Sequence, residues 1–130
     1  MLHKELTQTV INAAKAVHAE LGGGLPHNFY REAMEIELRE GGVAVEVDKP
    51  VKIAFRGHSL GELGVDFCVN DAILCVVVDD EEISPDEYGR MRTLLKNLEL
   101  DVGLLLKFNG GRLDVRRVEA VPAKKTEATA

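Results

Sequence analysis

Two apolar segments joined by a turn constrain this chain more than any other feature. Gly64-Val65-Asp66-Phe67-Cys68-Val69 is followed by Asn70-Asp71 and then by Ala72-Ile73-Leu74-Cys75-Val76-Val77-Val78-Asp79. β-Branched and aromatic residues favour extended backbone, and Asn and Asp tolerate turn conformations, so the pattern predicts an antiparallel strand hairpin. The second segment is apolar at every position from Ala72 to Val78, as in a strand covered on both faces. The only acid inside the first segment is Asp66.

The flanking sequence supplies the cover. Val10, Ala14, Val17 and Leu21, with Ala13 alongside, have helical spacing, and Gly22-Gly23-Gly24 ends that helix. A second helix is expected from Asn28, as N-cap, to Glu40, with Phe29, Ala33 and Ile36 beside Tyr30, Met34 and Leu38. The period then becomes two: Val43, Val45 and Val47, then Val51, Ile53 and Phe55. Pro50 either separates two short strands or marks an irregularity in one long edge strand. Beyond the hairpin, Ser84-Pro85-Asp86-Glu87 combines a capping serine, a proline at the first helical position and a capping-box glutamate. The buried stripe of that helix is expected from Tyr88, Met91, Leu95 and Leu98. Val102 to Phe108 reads as an interior strand, Asn109-Gly110-Gly111 as a turn, and Leu113, Val115 and Val118 as a last strand. The third helix is then the crossover between parallel strands of a mixed sheet. Residues 1–121 are expected to form a single domain, and 122–130, small and polar, a disordered tail.

Composition bounds the partners. The 130 residues carry a formal charge of −6, so the chain lacks the general basic field of a dedicated nucleic-acid binder. Its basic residues are scattered: Arg90, Arg92 and Lys96 on one helix, and Lys107, Arg112, Arg116 and Arg117 near the end read as solvated charge. No apolar run approaches a membrane span, and the N-terminus does not resemble a signal peptide. Cys68 and Cys75, both in expected buried strands, make no disulfide framework. A cytoplasmic protein is expected.

The order of these residues resembles the GxxExxY family of the PD-(D/E)XK nuclease superfamily. The likeness runs through Ala14-Lys15-Ala16-Val17-His18-Ala19-Glu20-Leu21-Gly22, Gly24-Leu25, Phe29-Tyr30, the Glu32-Ala33 and Glu37-Leu38 pairs, Gly41, Lys49-Pro50-Val51, Gly57, Asp66 and Leu100 to Phe108. The resemblance implies a restriction-endonuclease-like αβββαβ core with a mixed central sheet flanked by helices. It also implies an acidic metal site, and there the sequence departs. The naming motif would run from Gly24 to Tyr30, but His27 stands in place of its glutamate. The Glu-x-Lys of the second hairpin strand falls on Val76 and Val78, and a helix glutamine falls on Arg90. Of the hairpin triad only Asp66 remains.

Such enzymes use carboxylates to hold Mg²⁺, which neutralises the scissile phosphate and activates a water, while the lysine stabilises developing charge. Valine does neither. Val76 and Val78 share one strand face and suggest a dry surface, either core or interface. A rearranged site could draw on Asp66, Asp79 and Glu20 as ligands for Mg or Mn, although the acidic run Asp79 to Glu82 also suits a solvated loop before a capped helix. His27 could contact phosphate or a softer metal, and Arg90 could also contact phosphate. His18 reads as a hydrogen-bonded structural residue, His3 and His58 as surface residues, and Tyr30 as a core residue with its hydroxyl tied down. The reading is therefore a catalytically degenerate nuclease fold with no cofactor, acting as a binding or assembly module through a protein partner, with a homodimer the expected form. The alternative is a metal-dependent nuclease rearranged around Asp66.

Overall fold

The computed structural model describes residues 3–109 and 111–120. In chain order these form α1 (Lys4–Leu21), α2 (His27–Glu40), β1 (Val45–Phe55), β2 (His58–Val69), β3 (Ile73–Val77), α3 (Pro85–Leu98), β4 (Val102–Lys107) and β5 (Asp114–Glu119). The five strands make one sheet in the order β1-β2-β3-β4-β5, with β3 and β4 parallel and the other neighbours antiparallel. The α3 crossover accounts for the single parallel pair. This is the mixed sheet with flanking helices that the sequence implies, with the two N-terminal helices before the first strand. Gly110 and the tail after Ala120 lie outside the described residues, and with them the expectation of a disordered 122–130.

Two cores lie on opposite sides of the sheet. One joins Val10, Ala14 and Val17 of α1 and Tyr30, Met34 and Leu38 of α2 to Phe67, Cys75, Val77, Leu104 and Leu106. The other joins Met91, Leu94 and Leu95 of α3 to Val51, Val65, Cys68, Leu74, Val78 and Leu105. The alternate residues of β3 and β4 feed different cores, which is why these strands read as continuous apolar runs. Gly103 lets α3 approach: a Cβ there would lie 2.3 Å from the Met91 sulfur.

The hairpin forms at Asn70-Asp71, both at φ 52°, closed by Ala72 N–H donating to the Val69 carbonyl at 2.9 Å. Ser84 caps α3, its Oγ accepting from Glu87 N–H at 3.4 Å. Other expectations need correcting. Asn28 is not the cap of α2; Pro26 holds that position without a side-chain bond, and His27 is already helical. In the mixed stripe of α2, Tyr30, Met34 and Leu38 take the core, while Phe29 and Ile36 are about half exposed. In α3, Leu94 joins Met91 and Leu95 in the core, whereas Tyr88 and Leu98 pack at its margin. Pro50 lies within one long edge strand. Irregularities fall on either side of it: at Asp48, φ 51°, where a left-handed backbone breaks the alternation, and between Ile53 and Ala54, where the register with β2 shifts. Val45 and Val47 accordingly pack on the α1/α2 side, but Val51 and Ile53 pack on the α3 side.

Candidate functional site

Asp66 sits where two strands part. β2 pairs with β3 through Phe67↔Cys75, Cys68↔Leu74 and Val69↔Ile73, and the ladder ends there. The Asp66 side chain continues it, with Oδ2 accepting from Val77 N–H at 2.7 Å. Its other oxygen, Oδ1, lies 2.7 Å from His27 Nε2 at the start of α2. Both carboxylate oxygens are thus engaged, and the Asp66 side chain is only 12% exposed. One turn along α2, Arg31 Nη1 donates to Asp48 Oδ1 at 2.9 Å. In the β1–β2 register, Asp48 and Asp66 face each other between the pairs Val47↔Phe67 and Lys49↔Val65. The first turns of α2 therefore clamp the sheet at two facing aspartates, at the level where β1 changes sides.

Tyr30 fastens the glycine-rich loop that leads into this clamp. Its hydroxyl donates to the Gly22 carbonyl at 2.7 Å and accepts from Leu25 N–H at 3.0 Å, and its ring stacks on Phe108 with centroids 4.6 Å apart. Gly24 has φ 91°, a backbone that suits glycine. His18 differs from expectation: it flanks the Phe108 ring, but its Nε2 is buried with no hydrogen-bond partner. His3 and His58 are exposed, as expected.

The other sequence candidates are not drawn to Asp66. Val78 is 2% exposed in the α3-side core, and Val76 packs against the same core. Val78 is therefore core, while Val76 lies partly buried at the margin of that core. Glu20, Asp79 and Arg90 are exposed, and none of them bonds to Asp66. Among the described residues, no group of three or more His, Cys, Asp and Glu is gathered tightly enough to hold a metal ion. Mg²⁺ favours several hard oxygen ligands in octahedral array, and one carboxylate already bonded at both oxygens does not fit it. Cys68 and Cys75 are free and buried in opposite cores. Burial pushes both thiols upward, Cys75 well above the ordinary range.

The sequence named His27 and Asp66 separately but carried no sign of their contact, since 39 residues separate them. Nor did it show that Lys107, Arg112 and Arg116 are not scattered: they line one cavity of about 460 Å³ beside the β4–β5 turn. Arg116 is held there by Asp114, through Nε at 2.8 Å and Nη2 at 3.2 Å. A run of basic residues near a strand–turn–strand signal was the available cue.

A mixed sheet covered by helices on both faces, with an aspartate at the parting of the central hairpin, describes a nuclease-type α/β domain. The model of the PD-(D/E)XK nuclease superfamily matches residues 4–118, and the chain belongs to that superfamily. No curated protein sequence matches the chain. Among solved structures it is similar to a protein designated SSO0001, with TM-score 0.57 and 15% identity over 94% of this chain and 61% of that one. It is also similar to an alkaline exonuclease from Laribacter hongkongensis, with TM-score 0.51 and 14% identity over 75% of this chain and 60% of that one. The chain thus spans about six tenths of each, and at these identities the likeness establishes the fold alone. No helix among the described residues is long and apolar enough to cross a membrane.

Proposed function

We propose that this domain is a non-cleaving member of the superfamily, from its GxxExxY branch, that serves as a binding or assembly module. The observation that carries the reading is the engagement of Asp66. Val77 N–H and His27 occupy its two oxygens at 2.7 Å each, so the residue that would hold a metal instead ties α2 to the central hairpin. Val76 and Val78 support it, because the Glu-x-Lys positions are filled by side chains packed against α3. Restoring charge there would place unpaired ions in a core rather than ligands in a cleft.

Calorimetric titration of Mn²⁺ and Mg²⁺ into the wild-type protein and Asp66→Asn tests this. No binding in either protein is expected. Binding that is present in the wild type and lost in Asp66→Asn, followed by Asp66-dependent cleavage of DNA or RNA, would replace the reading with that of a metal-dependent nuclease centred on Asp66. In that case His27 must leave its place against Oδ1, and a histidine–carboxylate pair suits Mn²⁺ better than Mg²⁺.

A further inference from the structure

We propose that the arm formed by the outer half of β1 and β2 docks onto the carboxylate-rich surface of a second copy of this chain. Among the described residues the arm is a ribbon with no cover: every residue from Ala54 to Gly64 is exposed. It nevertheless carries three large apolar side chains, Phe55 at 57% exposure, Leu60 at 68% and Leu63 at 47%. Phe55 lies two residues beyond Ile53, so strand alternation places it on the face that packs against the α3-side core at Val51 and Ile53. Leu63 stands opposite Val51, and Leu60 is the extra residue of a bulge between the pairs Ile53↔Gly61 and Ala54↔Ser59. The arm therefore extends an apolar face outward past the end of its cover. A two-stranded ribbon is marginal by itself, and apolar patches of this kind mark contact surfaces.

Charge selects the occupant. From Lys49 to Gly64 the chain has Lys49, Lys52, Arg56 and His58 against a single carboxylate, Glu62, which stands opposite Lys52 in the strand register, although its total is −6. Lys49 is taken by Glu46, at 3.1 Å. Arg56 lies over the Phe55 ring at 4.9 Å, leaving its guanidinium at the surface, and Lys52 is exposed. The complementary surface is on the same protein: Asp79, Asp80, Glu81 and Glu82 are consecutive and all exposed. Because β2 and β3 are antiparallel, the arm tip and this acidic segment lie at the same end of the sheet. Two copies facing each other with that end can exchange both contacts under two-fold symmetry. The contact uses the arm's face, since the β1 edge is guarded against strand addition by Pro50 and by left-handed Asp48.

This deepens the assembly reading by naming the partner, yet it stands on the arm and not on Asp66. Metal-dependent cleavage would defeat that reading while leaving this one to be decided by sedimentation. The test is sedimentation velocity of the full chain at about 20 mM and about 1 M salt, between which screening shortens several-fold. A dimer at low salt is expected, with at least a roughly tenfold rise in Kd at high salt, about 1.4 kcal/mol. Lys52→Glu with Arg56→Glu, and separately Asp80→Lys with Glu81→Lys, should each be monomeric with unchanged circular dichroism, and mixing the two variants should restore a dimer. A wild type that stays monomeric throughout, or a dimer indifferent to both charge reversals, overturns the proposal. So does a monomer that binds duplex DNA through Lys52 and Arg56, which would assign the arm to nucleic acid.

Discussion

The β1–β2 ribbon holds two regions built from the same kinds of residue with opposite fates. At its base, Phe67 and Val69 are fully buried; at its tip, Phe55 and Leu60 are more than half exposed. Both halves are extended, antiparallel and rich in apolar side chains. What differs is the company: α1, α2 and β3 cover the base, and nothing covers the tip among the described residues. Strand-forming character is thus local, whereas burial depends on which elements the topology brings alongside. Between the two regions stands the pair Asp48 and Asp66, clamped by Arg31 and His27.

The largest contrast should come from truncating one aromatic in each region. Phe67→Ala should cost about 3–5 kcal/mol, while Phe55→Ala should stay within about 0.5 kcal/mol, both read from urea unfolding of the protein held monomeric in high salt. Equal losses would erase the distinction. Val78→Lys at the buried end of the hairpin should cost about 3–5 kcal/mol by leaving a charge unpaired in the α3-side core; new metal-dependent cleavage with full stability would show a cleft there instead. At the boundary, Asp66→Ala should cost about 1–3 kcal/mol because Val77 N–H loses its acceptor, and hydrogen exchange at Val77 should accelerate. His27→Ala should cost less, since it leaves that bond in place. The smallest effect concerns thiols: Cys75 and Cys68 should alkylate slowly at neutral pH in the folded protein, burial having pushed both upward, and at ordinary rates once unfolded.

The Ser84 cap, the Asn70-Asp71 turn and the stripe of Val10, Ala14 and Val17 were legible because each signal lies within a few residues. On α2 the same reasoning left two stripes side by side, and packing on the sheet chose Tyr30, Met34 and Leu38 over Phe29 and Ile36. Val76 and Val78 were legible as dry, but alternation alone could not tell a core from an interface. Only the tertiary structure placed Val78 inside the α3-side core and Val76 partly buried at its margin. At the candidate site, Asp66 stands out locally as an acid within an apolar strand, and His27 as a histidine just after a glycine-rich loop. Their contact depends on how α2 crosses the sheet, which no local pattern encodes.

By itself the sequence determined the elements and their order, because periodicity, caps and turn residues act through neighbours along the chain. It also determined that Val76 and Val78 are apolar and can offer a hard cation no ligand wherever they lie. The tertiary structure decided that Asp66 is bonded at both oxygens, that three basic residues share a cavity, and that an apolar arm is left exposed among the described residues. Each of these depends on distances between segments far apart in the chain, set when two helical layers close on opposite faces of one twisted sheet.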